Sequence, residues 1–209
     1  MIIKQKKYRK ILKVNCNEEG IEKAVEIINQ GGVIIFPTDT VYGIGCNPYN
    51  KESVKKIYDI KSRNTSKPFP ILVYSKEIAE KIAFFDKFSK KIAEKFWPGP
   101  LTIILKLTDE NLKKSLNVVD KIAIRVPNHK CTLDLLKKCN FLVGTSANIS
   151  GQTSFTNPDE CLKNMQNYDI FVDGGTITSK GESTIIEIEN EKIKIIRKGS
   201  ISQEEIFGL

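Results

Sequence analysis

Phe141-Leu142-Val143 leads directly into Gly144-Thr145-Ser146-Ala147-Asn148-Ile149-Ser150-Gly151. The apolar run reads as a strand over residues 141–145, and the stretch behind it packs three hydroxyls and an amide between two glycines. Small polar side chains at a strand exit leave backbone N–H groups uncovered and set short donors beside them. That arrangement suits an anion such as phosphate. An ordinary polar loop has the same local composition, so the choice rests on what else in the chain converges here.

Working outward, the same kind of strand exit recurs. Val33-Ile34-Ile35-Phe36 is a β-branched run closed by Pro37, and Thr38-Asp39-Thr40-Val41-Tyr42-Gly43-Ile44-Gly45 follows it. Gly43-x-Gly45 has the beginning of a dinucleotide fingerprint, but Pro48 stands where the third glycine belongs, and no Walker A pattern occurs. A hydroxyl-rich strand exit is left, readable as a plain turn or as part of a site. Further strands are expected at 70–74, 101–107, 122–127 and 170–172. The alternating runs 185–189 and 192–196 flank Asn190-Glu191 as a hairpin.

Helical spacing fills the intervals. Ile21, Ala24, Val25 and Ile28 share a face, with Asn17 as N-cap and Gly31-Gly32 as the stop. Helices are likewise expected at about 51–60, 76–83, 87–96 and 131–139. Another starts at Asn157-Pro158, and Ser202 with Glu205 forms a capping box for a last helical turn. The segment between Leu107 and Ile122 reads as a polar loop. The pattern is one mixed α/β domain over residues 18–209, with parallel and antiparallel pieces. A basic, lysine-rich leader over 1–17 precedes it, with room for an edge strand at Lys10 to Val14.

The chain has 209 residues, 40% of them hydrophobic, which is enough for a full core. No window resembles a membrane span, and the N-terminus lacks the apolar region of a signal peptide. Five cysteines without Cys-x-x-Cys spacing are expected to be reduced thiols of a cytoplasmic protein, with no zinc site. A net charge of +8 favours anionic partners, although lysines spread along the chain also make an ordinary solvated surface.

The arginines say more. Among 33 lysines and arginines, only Arg9, Arg63, Arg125 and Arg197 are arginine. A lysine-rich chain has reason to keep arginine where a planar, always-charged fork is needed. Arg63 follows Lys61 where a helix gives way to the Pro68 loop. Arg125 stands in the apolar run Ile122 to Pro127, where a charge is costly unless paired or bound to something. Trp97, before Pro98-Gly99-Pro100, reads as a core anchor, and His129 as a surface or supporting residue rather than a general base.

These stretches together resemble the YrdC-like family, the L-threonylcarbamoyladenylate synthases of TsaC type. The matching motifs are Pro37-Thr-Asp-Thr-Val-Tyr-Gly43, Lys61-x-Arg63 with Lys67-Pro68, Pro98-Gly-Pro-Leu-Thr102 and Ile124-Arg-Val-Pro127. They continue with Thr145-Ser-Ala-Asn-x-Ser-Gly151, Asp173-Gly-Gly175 with Ser183-Thr184, and Arg197-x-Gly199. They cover roughly residues 18–207 in order. Ile44 after Tyr-Gly and the extended Phe69-Pro70 depart from the usual pattern without removing a polar group. The extra C-terminal domain of longer relatives is not expected here.

The resemblance implies a twisted mixed sheet flanked by helices, with a concave basic face that holds ATP and L-threonine. It implies condensation of L-threonine, bicarbonate and ATP to threonylcarbamoyl-AMP with release of pyrophosphate. A transferase complex then acts downstream on adenosine in tRNA. Carried over, Lys61, Arg63, Ser146 and Asn148 would face the nucleotide phosphates as the catalytic set, and Arg197 would contact ATP. Thr38, Arg125, Thr145 and Ser183 would hold threonine, with Arg125 on its carboxylate. Magnesium would enter as the counter-ion of ATP, with no redox cofactor and no protein metal site.

Two rival readings stay open at this point. A basic RNA-binding module would use the +8 charge, but the few aromatics are not interleaved with basic residues as base stacking favours; weak RNA binding remains compatible with either reading. A carbamoyl-adenylating domain of the hydrogenase-maturation kind would carry zinc-binding and acylphosphatase-like segments, which this sequence does not display.

Overall fold

The computed structural model of the chain describes residues 11–208. The first ten residues of the basic leader lie outside the described residues.

Among the described residues ten strands form one mixed sheet. In chain order they are β1 (Leu12–Asn15), β2 (Ile34–Phe36), β3 (Gly43–Cys46), β4 (Ile71–Val73) and β5 (Leu101–Lys106), then β6 (Lys121–Arg125), β7 (Phe141–Ser146), β8 (Ile170–Asp173), β9 (Thr184–Glu189) and β10 (Lys192–Arg197). Across the sheet the order is β1-β8-β2-β3-β7-β4-β6-β5-β9-β10. Four pairs are parallel (β1–β8, β8–β2, β4–β6 and β5–β9), and the rest are antiparallel. The helices among the described residues are α1 (Glu18–Asn29), α2 (Lys51–Lys61), α3 (Lys76–Ile82), α4 (Lys87–Phe96), α5 (Glu110–Leu116), α6 (Lys130–Cys139), α7 (Pro158–Asn164) and α8 (Gln203–Phe207).

Period-two alternation divides the core. Ile35, Ile71, Val73, Ile103, Ile124, Val143 and Ile186 point to one face, where Val54 and Ile57 of α2, Ile82 of α3, Ile92 of α4 and Leu112 of α5 pack on them. Ile34, Phe36, Leu72, Leu142 and Ile170 point to the other, against Ile21, Ala24 and Ile28 of α1 and Leu135 and Leu136 of α6. The first face is thus covered along the sheet. The second is covered by α1 and α6 only at its β8–β2–β7 side. Thr102, Ile104, Ala123, Arg125 and Ile185 of β5, β6 and β9 line open space instead. This uncovered half of the sheet is the cleft.

The caps behave as their residue types dictate. Asn17, Asn50 and Asn157 accept backbone N–H groups at the starts of α1, α2 and α7, and Ser202 with Glu205 closes a capping box. Asn190 (φ 50°) and Glu191 (φ 57°) supply the two left-handed residues of the β9–β10 turn. Trp97 is buried and donates Nε1–H to Leu101 O at 2.7 Å, as a core anchor should.

Three expectations are corrected. The stretch after Pro37 contains a strand, β3, which lies between β2 and β7 although two of its four residues are glycine. Close approach explains them: a Cβ on Gly45 would stand 2.1 Å from Val143 O, and one on Gly144, its Cα partner across the pair, 2.4 Å from Leu72 Cγ. The polar loop before β6 contains α5, capped by Asp109 and anchored by Leu112 and Leu116 four residues apart. Nor are all five cysteines reduced: Cys16 and Cys131 form a disulfide, while Cys46, Cys139 and Cys161 are free. Packing of α1 on α6 beside the parallel β1–β8 pair brings Cα atoms 115 residues apart in sequence to 5.7 Å, within disulfide reach.

Replacing Gly45 with alanine sets a methyl group against a backbone carbonyl that cannot rotate away. We expect Gly45→Ala to lower stability by about 2 kcal/mol, as overpacking does. Urea unfolding of the two proteins checks this.

Candidate active site

Two cavities of about 420 Å³ and about 650 Å³ open on the uncovered half-face and share the rim residues Val41, Arg63, Lys67, Ser146, Glu182 and Arg197. They are two lobes of one cleft. All nine residues singled out from the sequence line it. Thr38, Arg125, Thr145 and Ser183 line only the first lobe, and Lys61 and Asn148 only the second; Arg63, Ser146 and Arg197 line both.

The β2 exit builds one wall. Thr38 Oγ1 donates to Val41 O at 2.6 Å and accepts the N–H groups of Thr40 and Val41, each at 3.2 Å, so its hydroxyl folds the turn back on itself. Arg125, at the end of β6 and 5% exposed, spreads its donors over three partners. Nε reaches Gly99 O at 3.0 Å, Nη1 reaches Thr40 Oγ1 at 3.1 Å, and Nη2 meets Asp39 Oδ1 at 2.5 Å. Burial pushes the Arg125 pKa down, and the Asp39 carboxylate opposes that push. Asp39 was missed as a partner because no spacing rule links residues 86 apart.

The opposite wall is the loop Gly144–Gly151, pinned from beneath by Lys61. Ser62 in the left-handed region (φ 48°) ends α2, leaving Lys61 pointing inward and Arg63 along the rim. Lys61 is 1% exposed and donates to Ser146 O, and to Asn148 O and Asn148 Oδ1 at 2.8 Å each. The three protons of its ammonium thus hold the loop itself. Ser146 Oγ shares Asn148 Oδ1 at 2.8 Å, and Asn148 Nδ2 reaches Gln152 O at 2.5 Å. Backbone bonds from Ala147 N to Tyr42 O and from Ser150 N to Lys61 O join this loop to the other two.

Burial, reinforced by the charge of Arg63, pushes Lys61 from 10.5 down to about 8. A folded pKa below the unfolded one means that the folded chain binds fewer protons between those values. The cost of burying this charge is fully present below pH 8 and fades as pH rises through the window. Lys61→Met removes the group, so the stability difference between wild type and variant should shift in favour of wild type as pH rises from neutral to ~10. Denaturant titrations of both proteins across that range measure the slope.

Arg63 rests on Phe69, its Cζ 5.2 Å from the ring centroid, and donates to Lys67 O at 3.0 Å and Pro68 O at 3.4 Å. Burial, with Arg197 as a neighbouring cation, lowers its pKa. Arg197 donates to Ser183 O from Nε at 3.1 Å and from Nη2 at 2.9 Å, and pairs with Glu182 through Nη1 at 2.5 Å. Ser183 Oγ lies 2.9 Å from both Thr102 Oγ1 and Arg197 Nη2. His129 lines neither lobe; among the described residues its buried Nδ1 has no hydrogen-bond partner, and burial lowers its pKa. Among the described residues no group of three or more His, Cys, Asp or Glu side chains could hold a metal ion. No helix among them is long and apolar enough to cross a membrane.

Among the described residues, a mixed ten-stranded sheet with one half-open face, and Arg63, Arg125 and Arg197 gathered on that face, define the class. The Sua5/YciO/YrdC family model, described as telomere recombination, matches residues 26–199, and the chain belongs to that family. A Methanocaldococcus jannaschii protein provisionally named threonylcarbamoyl-AMP synthase is 40% identical over 207 residues, covering 94% of this chain and 96% of that protein. The threonylcarbamoyl-AMP synthase of Pyrococcus abyssi is 32% identical over 189 residues, covering 89% of this chain but only 56% of its own length. The structure of P. abyssi Sua5 complexed with L-threonine matches with a TM-score of 0.87 at 32% identity, over 95% of this chain and 60% of that one. Escherichia coli YciO, at 24% identity, shares the fold with a TM-score of 0.84.

Proposed function

We propose that this chain is a threonylcarbamoyl-AMP synthase, a nucleotidyltransferase that joins L-threonine, bicarbonate or carbon dioxide, and ATP, with residues 18–209 as the catalytic unit. The observation that carries the proposal is the division of one cleft into two lobes. A smaller lobe has buried Arg125 and the hydroxyls of Thr38, Thr145 and Ser183, and a larger polar lobe adjoins it across Arg63 and Arg197. The first suits a hydroxylated amino acid with its carboxylate toward Arg125. The second suits a triphosphate, with ATP entering as its magnesium complex.

The chemistry asks for no protein nucleophile. The amine of threonine attacks the carbon of carbon dioxide and loses a proton, giving a carbamate. A carbamate oxygen then forms a bond to the α-phosphorus of ATP as the bond to pyrophosphate breaks. The protein's part is to align the two substrates and to set cations where charge develops on the leaving phosphates. The threonylcarbamoyl group would then pass to adenosine in tRNA through a separate transferase in the cytoplasm.

Pyrophosphate release is measured from protein with ATP, magnesium and bicarbonate, with and without L-threonine. Release that depends on threonine is expected. Release without threonine points to another acceptor, and salt-sensitive RNA binding without any release points to an RNA-binding module.

A further inference from the structure

Among the described residues, Glu182 supplies the one carboxylate that lines either lobe, and it lines both. Its surroundings on the shared rim are cationic: Arg63, Lys67 and Arg197. It is held from two directions, Oε2 accepting from Arg197 Nη1 and Oε1 from Ser154 Oγ, each at 2.5 Å. The backbone beneath is fixed as well, since Ser200 N and Ser200 Oγ donate to Glu182 O at 2.9 and 3.0 Å. A carboxylate oxygen accepts more than one hydrogen bond, so both still have capacity for a ligand.

In a lobe that serves only phosphate, this group is unfavourable, because it repels the anion and occupies an arginine donor. An α-amino acid supplies what it fits. With the substrate carboxylate at Arg125 in the first lobe, the α-nitrogen belongs at the seam, because that nitrogen becomes the carbamate that meets the α-phosphate in the second. Glu182 stands at that seam.

We infer that Glu182 holds the α-amino group of the amino-acid substrate and so selects α-amino acids over counterparts that lack the amine. The inference rests on the threonine and ATP reading of the cleft.

The test is calorimetric titration of wild type and Glu182→Gln with L-threonine and with 2,3-dihydroxybutyrate, which carries a hydroxyl in place of the amine. Loss of a charge-assisted hydrogen bond should weaken L-threonine binding about tenfold or more in the variant. Dihydroxybutyrate binding should hold or tighten, and ATP binding should not weaken. Unchanged threonine affinity in the variant, or equal losses for both ligands, would overturn the inference and leave Glu182 as a structural partner of Arg197. Should Glu182→Gln fail to fold, Glu182→Asp, which keeps the charge but withdraws it by one methylene, is held to the same two outcomes. Wild-type protein that neither binds threonine nor releases pyrophosphate counts against the functional reading instead, so the two failures are distinguishable.

Discussion

Arg63→Ala is expected to cut threonine-dependent pyrophosphate release by about 100- to 1,000-fold, the loss typical of one preorganised donor to a developing anion. Arg63 lies on the rim common to both lobes, and its Nη1 makes no hydrogen bond among the described residues. That end of the guanidinium is the part available to a ligand, while Nε and Nη2 hold Lys67 O and Pro68 O and so shape the loop. Because one planar group would do both jobs in the proposed reaction, Arg63→Lys should also be impaired: an ammonium cannot grip the loop and present a second donor in the same plane. The fold should survive in both variants, since Arg63 is half-buried at the surface of the cleft. Circular dichroism and melting curves establish that, and pyrophosphate release gives the rate. A Lys variant with normal release would remove the argument from the fork.

Asp39→Ala is expected to act on stability, at about 3–5 kcal/mol, which is the range for removing one partner of a buried ion pair. Arg125 is deeply buried, and among the described residues Asp39 is the sole carboxylate paired with it. Taking that carboxylate away leaves a desolvated cation with only neutral acceptors, Gly99 O and Thr40 Oγ1. The double variant Asp39→Ala/Arg125→Met should recover part of the loss by removing the orphaned charge as well. Urea midpoints of wild type, the single variant and the double variant test this, and a single variant as stable as wild type would show that the pair contributes nothing. Added L-threonine should raise the midpoint of Asp39→Ala more than that of wild type, because in the proposed binding mode a substrate carboxylate on Arg125 would replace the missing charge.

Much of this architecture was legible along the chain, wherever a local rule decides the outcome. The spacing of Ile21, Ala24 and Ile28 with Asn17 ahead of them gives α1 directly, and the Ser202/Glu205 box gives the last turn. The scarcity of arginine pointed to Arg63, Arg125 and Arg197, all of which line one cleft. What escaped was decided by contacts distant in sequence. Gly43 and Gly45 carry no strand propensity, and only the nearness of Phe36 and Val143 shows why a side chain is excluded there. Cys16 and Cys131 meet because two helices pack, and no motif records that. Glu182 belongs to no motif read from the chain, and only its place on the rim of both lobes brings it to notice. The α5 helix is different, since Asp109 followed by Leu112 and Leu116 was a readable signal that the surrounding polarity obscured.

Among the described residues the sheet ends at β10, which pairs with β9 on one side only. An unpaired strand offers a row of free amides and carbonyls to any other extended chain, including a second copy of itself. Here Lys192 and Lys194 alternate along that strand and are exposed, and the register shifts between Ile195 and Arg197, so the ladder is interrupted near its end. Lining up two such borders would bring like charges together and mismatch their hydrogen bonds. The margin of the open face is thereby disfavoured as a template for fibres, even though one face of the cleft half of the sheet is left without helices to cover it.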